Sequence, residues 1–173
     1  MDWMFKLANQ RNEKKRLKDA AADGARELWT ALAAQVHEAQ AAYNKLYPEA
    51  EAQVRTEYGD GDPQQAVPAP PAPGQAAPAA PPLPQPPVQP FVRRLIPAPG
   101  QPDQYTVIKD WVRLQLHAPT TITATYSSGA PTVILAVALA TDGHPVLLEA
   151  SAEVSMDRAC EVILKPLLFD DLP

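Results

Sequence analysis

Three histidines, His37, His117 and His144, and one cysteine, Cys160, are the side chains in this sequence best suited to metal ligation, general-base work or nucleophilic attack near neutral pH. Their spacing assembles none of these. H-E-x-x-H, G-x-S-x-G, a Walker loop and G-x-G-x-x-G are all missing. His117 falls on the polar face of a predicted strand beside Arg113, and His144 follows a predicted hairpin turn, so both are expected at the surface. Cys160 sits on the apolar face of a predicted helix, which points to a buried, inert thiol rather than a redox sensor. Glu149 and Glu153 lie on or just after a strand and form no acid and base pair. No catalytic residue, cofactor or metal ligand follows, and the chain is expected not to be an enzyme. A small ligand-binding or catalytic module on the sheet would need a pocket converging on Arg113, His117 and Tyr126.

The residues that instead suggest recognition chemistry are prolines. From Pro63 to Pro90, twelve of twenty-eight residues are proline and seven are alanine, and no side chain between Asp62 and Arg93 is charged. Proline has no backbone donor and fixes φ, which leaves polyproline II as the accessible regular form. Pro78, Pro81, Pro84, Pro87 and Pro90 recur every third residue and so line one edge of such a helix. Pro81, Pro82, Leu83 and Pro84 spell PPLP, which resembles a ligand of one class of WW domain, and the P-x-x-P repeats look like SH3 ligand cores. The alternative is a semi-rigid spacer, with a reach of about 85 Å at about 3.1 Å per residue.

On either side of that stretch the patterning differs. Leu17, Ala21, Ala25, Leu28, Leu32, Val36, Ala39, Tyr43 and Leu46 recur every three or four residues, so one face of a helix is apolar, widened by Trp29. Pro48 stops it, and Asp23-Gly24 is the place where it would break. The acidic segment Glu49 to Tyr58 reads as a short second helix without a clear period. The apolar stripe must be covered by the same arm in another copy, by the chain's own β module or by a different protein. Leu17, Leu28, Trp29, Leu32, Val36 and Tyr43 are therefore the candidate interaction residues of the arm. The stripe is rich in small alanines and clean Leu or Ile heptads are missing, so weak homo-oligomerisation or docking is expected rather than a strong coiled coil.

After the proline-rich stretch the period becomes two. Val112, Leu114 and Leu116 alternate with Arg113, Gln115 and His117, and Ile122, Ala124 and Tyr126 alternate with threonines. Phe91 to Ile96 and Gln104 to Ile108 read as earlier strands. Thr132 to Ala140 is apolar on both faces, as in a central strand covered on both sides, and Asp142-Gly143 marks a hairpin into Val146 to Ala150. Ser155 caps a last helix, with Asp157 in its first turn and Pro166 as its end.

The fold class read from these signals is α+β. It comprises an N-terminal amphipathic helical arm (1–62), a proline- and alanine-rich linker in polyproline II or disordered form (63–90), and a small antiparallel β-meander module closed by a C-terminal helix (91–173). The net charge of -5 is unevenly spread. Met1 to Lys18 has six Lys or Arg against two acids, whereas Arg93 to Pro173 has nine acids against six bases, which argues against a nucleic-acid partner. A lone cysteine excludes an internal disulfide framework and fits a reducing, cytoplasmic setting. Lys6 interrupts the apolar start too early for a secretory leader, and no anchor is expected.

The function expected from the sequence is a non-catalytic protein-interaction or scaffold protein whose arm binds itself or another protein. Trp3, Met4, Phe5 and Leu7, followed by Arg11, Lys14, Lys15, Arg16 and Lys18, give the alternative of a membrane-surface adaptor.

Overall fold

The computed structural model describes residues 2–48, 52–58, 90–98 and 100–169. The apolar stripe of the arm folds as one helix, α1 (Asp2–Leu46), about 67 Å long at 1.5 Å per residue. Asp23-Gly24 does not interrupt it. Gly24 is buried where α1 crosses Pro145, and a Cβ added there would lie 2.6 Å from the proline Cβ and 3.1 Å from its Cγ. Closeness of approach therefore accounts for this glycine. Gly24→Ala is expected to lose about 1 kcal/mol net in urea unfolding, because overpacking against a rigid ring (about 1–3 kcal/mol) exceeds the helix-propensity gain of about 1 kcal/mol.

Seven strands follow: β1 (Gln53–Tyr58), β2 (Pro90–Ala98), β3 (Gln101–His117), β4 (Thr121–Tyr126), β5 (Val133–Leu139), β6 (Pro145–Glu149) and β7 (Ala152–Val154). They form one antiparallel sheet in chain order, and α2 (Met156–Leu168) closes the chain. The α+β class is thus the observed one. The β5–β6 hairpin turns at Asp142-Gly143 as its sequence requires, with Gly143 at φ 89° and the His144 N–H donating to Asp142 Oδ1.

Three sequence expectations are corrected. The segment expected as a second short helix contains β1, hydrogen-bonded to β2 from Gln53↔Leu95 to Tyr58↔Pro90. Its V-R-T-E-Y alternation places Val54 and Thr56 on the core face, and Asn44 of α1 completes its start. Asn44 Nδ2 donates to the Val54 carbonyl at 2.7 Å, and the Val54 N–H donates to Asn44 Oδ1 at 3.0 Å.

Second, α2 continues through Pro166 to Leu168. Its last turn is held by buried Leu167 and Leu168, by an Arg94 Nη1 hydrogen bond to the Leu167 carbonyl at 2.8 Å, and by the Phe169 N–H donating to Lys165 at 3.0 Å. These contacts offset the proline's missing donor.

Third, among the described residues β5 is covered on one face only. Leu135 and Val137 are buried, while Ile134 is 59% exposed and Ala136 is exposed. Only one large side chain faces outward there, so little apolar area is left in water.

Both helices pack on the face made by Val92, Val112, Leu114, Ile122, Leu135 and Leu147. Of the three covers considered for the arm's stripe, the chain's own sheet is the one found for Ala25, Trp29, Leu32 and Val36. Tyr58 of β1 and Pro90, the last residue of the proline-rich stretch and the first of β2, are cross-strand partners.

Candidate functional site

The core consumes most of the arm's candidate residues. Trp29, Leu32 and Val36 are fully covered, and Leu28 and Tyr43 are partly buried against the same cluster. Leu17 is 49% exposed and touches none of it. Pro81, Pro82, Leu83 and Pro84 lie outside the described residues, as does the expected linker up to residue 89.

Burial along α1 is sharply divided. Every residue from Met4 to Ala20 is exposed, and burial begins over residues 21–25. The first half of the helix therefore projects from the body while the second half is part of the core. Phe5 is 70% exposed, with Met4 and Leu7 exposed beside it; the side chain of Trp3 is outside the described set. Arg11, Lys14, Lys15 and Lys18 follow at spacings of three, one and three, which aligns them on one helical face. Glu13 is held by Arg16 at 2.8 Å, and this bond holds its carboxyl below the usual range. Among the described residues no ion pair or hydrogen bond engages the four aligned cations.

At the other end of α1 an apolar groove of about 530 Å³ opens between α1 and α2. Tyr43, Tyr47 and Phe169 form an aromatic cluster in it, with ring centroids 4.9, 5.9 and 6.3 Å apart. Ala39, Ala42, Leu46, Leu164 and Leu168 supply the remaining apolar wall. Its polar margin is Gln35, which donates to Asp157 Oδ1 at 3.1 Å, together with Glu161 and Lys165. Sequence reading missed this groove. The Leu167-Leu168-Phe169 tail and Tyr43 were visible as apolar signals, but nothing local brings residue 169 to residue 43.

The side chains with catalytic chemistry are not brought together. Arg113 and His117 point away from the helices, whereas Tyr126 pairs with Val112 on the core face and donates its hydroxyl to the Ile163 carbonyl at 2.8 Å. His117 Nε2 meets Thr123 Oγ1 at 2.9 Å, and exposed His144 pairs with Asp142. Among the described residues no group of three or more His, Cys, Asp or Glu is placed to hold a metal ion. Among them also, no helix is long and apolar enough to cross a membrane.

Cys160 is buried in α2 beneath the groove. Burial, aided by the Asp157 carboxylate, pushes its thiol up to about 11 from an ordinary 9.0. Burial also raises the Tyr126 hydroxyl above its ordinary 10.0. Each raised group keeps a proton in the native state that the unfolded chain releases. Its stabilising contribution is complete below the unfolded value and is lost as pH rises through the native one. The urea midpoint is therefore expected to fall from about pH 9 upward, less steeply in Cys160→Ala, and Cys160 is expected to resist a thiol reagent at pH 8 until urea is added.

No protein family, no curated protein and no solved structure matches this chain in sequence or fold comparison.

Proposed function

We propose that this chain is a non-catalytic interaction protein whose association element is the projecting part of α1, residues 4–20. The observation that carries this reading is the division of one helix into a docked half and an exposed half. Isolated helices form poorly in water, because nucleation is unfavourable and stability in proteins comes mostly from packing. Here the packed turns from Ala25 onward provide the nucleus, and the exposed turns extend it outward. The result is a helix held ready at one end, displaying four large apolar side chains, Met4, Phe5, Leu7 and Leu17, and a row of cations. A body whose only task was to fold would have no need of those turns, since the core is complete without them. The exposed face that remains differs from the one the sequence suggested, as Leu28, Trp29, Leu32 and Val36 are engaged within the chain.

Removing residues 2–20 is expected to leave the urea midpoint nearly unchanged, and to lower the helical circular dichroism only by the share of the deleted turns, while abolishing concentration-dependent association in sedimentation velocity. A truncated chain that associates like the full one would refute the reading. The adjacency of Met4, Phe5 and Leu7 to Arg11, Lys14, Lys15 and Lys18 favours a second reading, a surface of anionic lipid. Its mark would be co-sedimentation with phosphatidylserine vesicles that is lost with residues 2–20 and weakened by salt.

A further inference from the structure

We infer that the partner of the arm is a second copy of this chain: the apolar tip of α1 seats in the groove between α1 and α2 of another molecule, and that molecule returns its own tip to the first. This rests on the reading of the arm as the association element, and it adds the identity of the partner and the receiving surface.

Tip and groove lie at opposite ends of one continuous helix. Phe5 and Tyr43 are separated by about 57 Å along the axis, so no tip reaches its own groove. Their chemistry matches in order and in spacing. Met4, Leu7, Arg11 and Lys14 lie on one helical face, with Arg11 about 10 Å and Lys14 about 15 Å beyond Met4. In the groove, Tyr47 and Phe169 mark the apolar end. Asp157 is bonded to Gln35, about 18 Å back along α1 from Tyr47, and Glu161 is one turn of α2 nearer. A helix laid antiparallel to α1, with its tip on the aromatic cluster, brings Arg11 to Glu161 and Lys14 to Asp157. Neither cation is engaged by another described residue, whereas Glu161 is shared with surface Arg158 at 2.9 Å.

The arrangement is also closed. Lys14 opposite Gln35 and Met4 opposite Leu46 or Tyr47 set an antiparallel register that is the same when read from either copy. Reciprocal exchange of tips is isologous, so one two-fold axis generates both contacts at once, and assembly stops at two chains.

The test is sedimentation velocity on the full chain across a concentration range, with Leu7→Asp at the tip and Ala42→Arg in the groove. Both positions are exposed, so unchanged circular dichroism is expected. The full chain should sediment as a dimer, and each variant should raise the dissociation constant about ten-fold or more. An equimolar mixture of the two variants should associate more tightly than either alone, because the mixed dimer retains one unaltered tip in one unaltered groove. A mixture no tighter than its components, or a groove variant that associates normally, would overturn the tip-in-groove contact. A full chain that is monomeric throughout but sediments with phosphatidylserine vesicles through residues 2–20 would overturn the second copy while leaving the arm as the association element. Dimers that survive removal of residues 2–20 would defeat both.

Discussion

Trp29→Ala is expected to destabilise the whole protein by about 3–5 kcal/mol, a large part of the roughly 5–15 kcal/mol that holds a domain together. Trp29 is 2% exposed and belongs to the same buried cluster as Leu135 and Leu147 of the sheet, so truncating it opens a cavity between layers instead of loosening a free arm. Hydrogen exchange provides the check. Amides of β5 and β6, remote from residue 29 in sequence, should exchange about a hundredfold faster or more at neutral pH, since each 1.4 kcal/mol is a factor of ten. Were the helix a separable arm, its own amides would lose protection and those of the sheet would not change. That outcome would remove the division of α1 into docked and projecting halves, and with it the proposed function.

Arg94→Leu is expected to cost a similar amount, about 3–5 kcal/mol, from a different source. Arg94 is buried on β2, where Nη1 donates to the Leu167 carbonyl at 2.8 Å and meets Asp110 Oδ2 at 3.2 Å. It ties the last turn of α2 to β2 and β3. Leucine would leave the Asp110 carboxylate, itself largely buried, without this guanidinium, and would free the helix end that carries Phe169. Arg94→Lys keeps the charge but not the planar fork, so an intermediate loss is expected. Replacing Asp110 by leucine as well should recover part of the loss in urea unfolding, because an apolar pair avoids the desolvation of two charges. No recovery would show that the Asp110 carboxylate serves other partners more than Arg94. Arg93 makes a second buried contact of this kind nearby, paired with Glu57 of β1 and lying 5.2 Å from the Phe91 ring centroid.

Neither arginine was distinguishable in the sequence from a surface cation. What marks them is register: Arg94 faces Asp110 and Val54 across the strands, and Arg93 faces Trp111 and Arg55. A bulge between Arg94 and Leu95 helps fix which residues meet, and nothing local announces it. The same holds for the groove, whose aromatic cluster joins residues 43, 47 and 169 only because α2 returns beside the end of α1.

Periodicity and capping by themselves determined the elements that are locally consistent. The three-four spacing of the arm predicts α1, and the strict alternation of Val112 to Leu116 and Ile122 to Tyr126 predicts two neighbouring strands. Asp142-Gly143 predicts a hairpin, and Ser155 predicts the start of α2, where its hydroxyl accepts from the Arg158 N–H at 3.2 Å. These signals are legible because each depends on a few adjacent residues and on backbone geometry.

Tertiary structure alone decided that β1 is a strand, that α2 passes through Pro166, and that half of α1 is core while the other half projects. Six residues of mixed pattern hold a strand only when a partner supplies its hydrogen bonds, and a helical proline survives only where packing outweighs the lost donor. The apolar face of α1 states that something must cover it. Which surface does so depends on contacts between residues more than a hundred positions apart, and no periodicity records those.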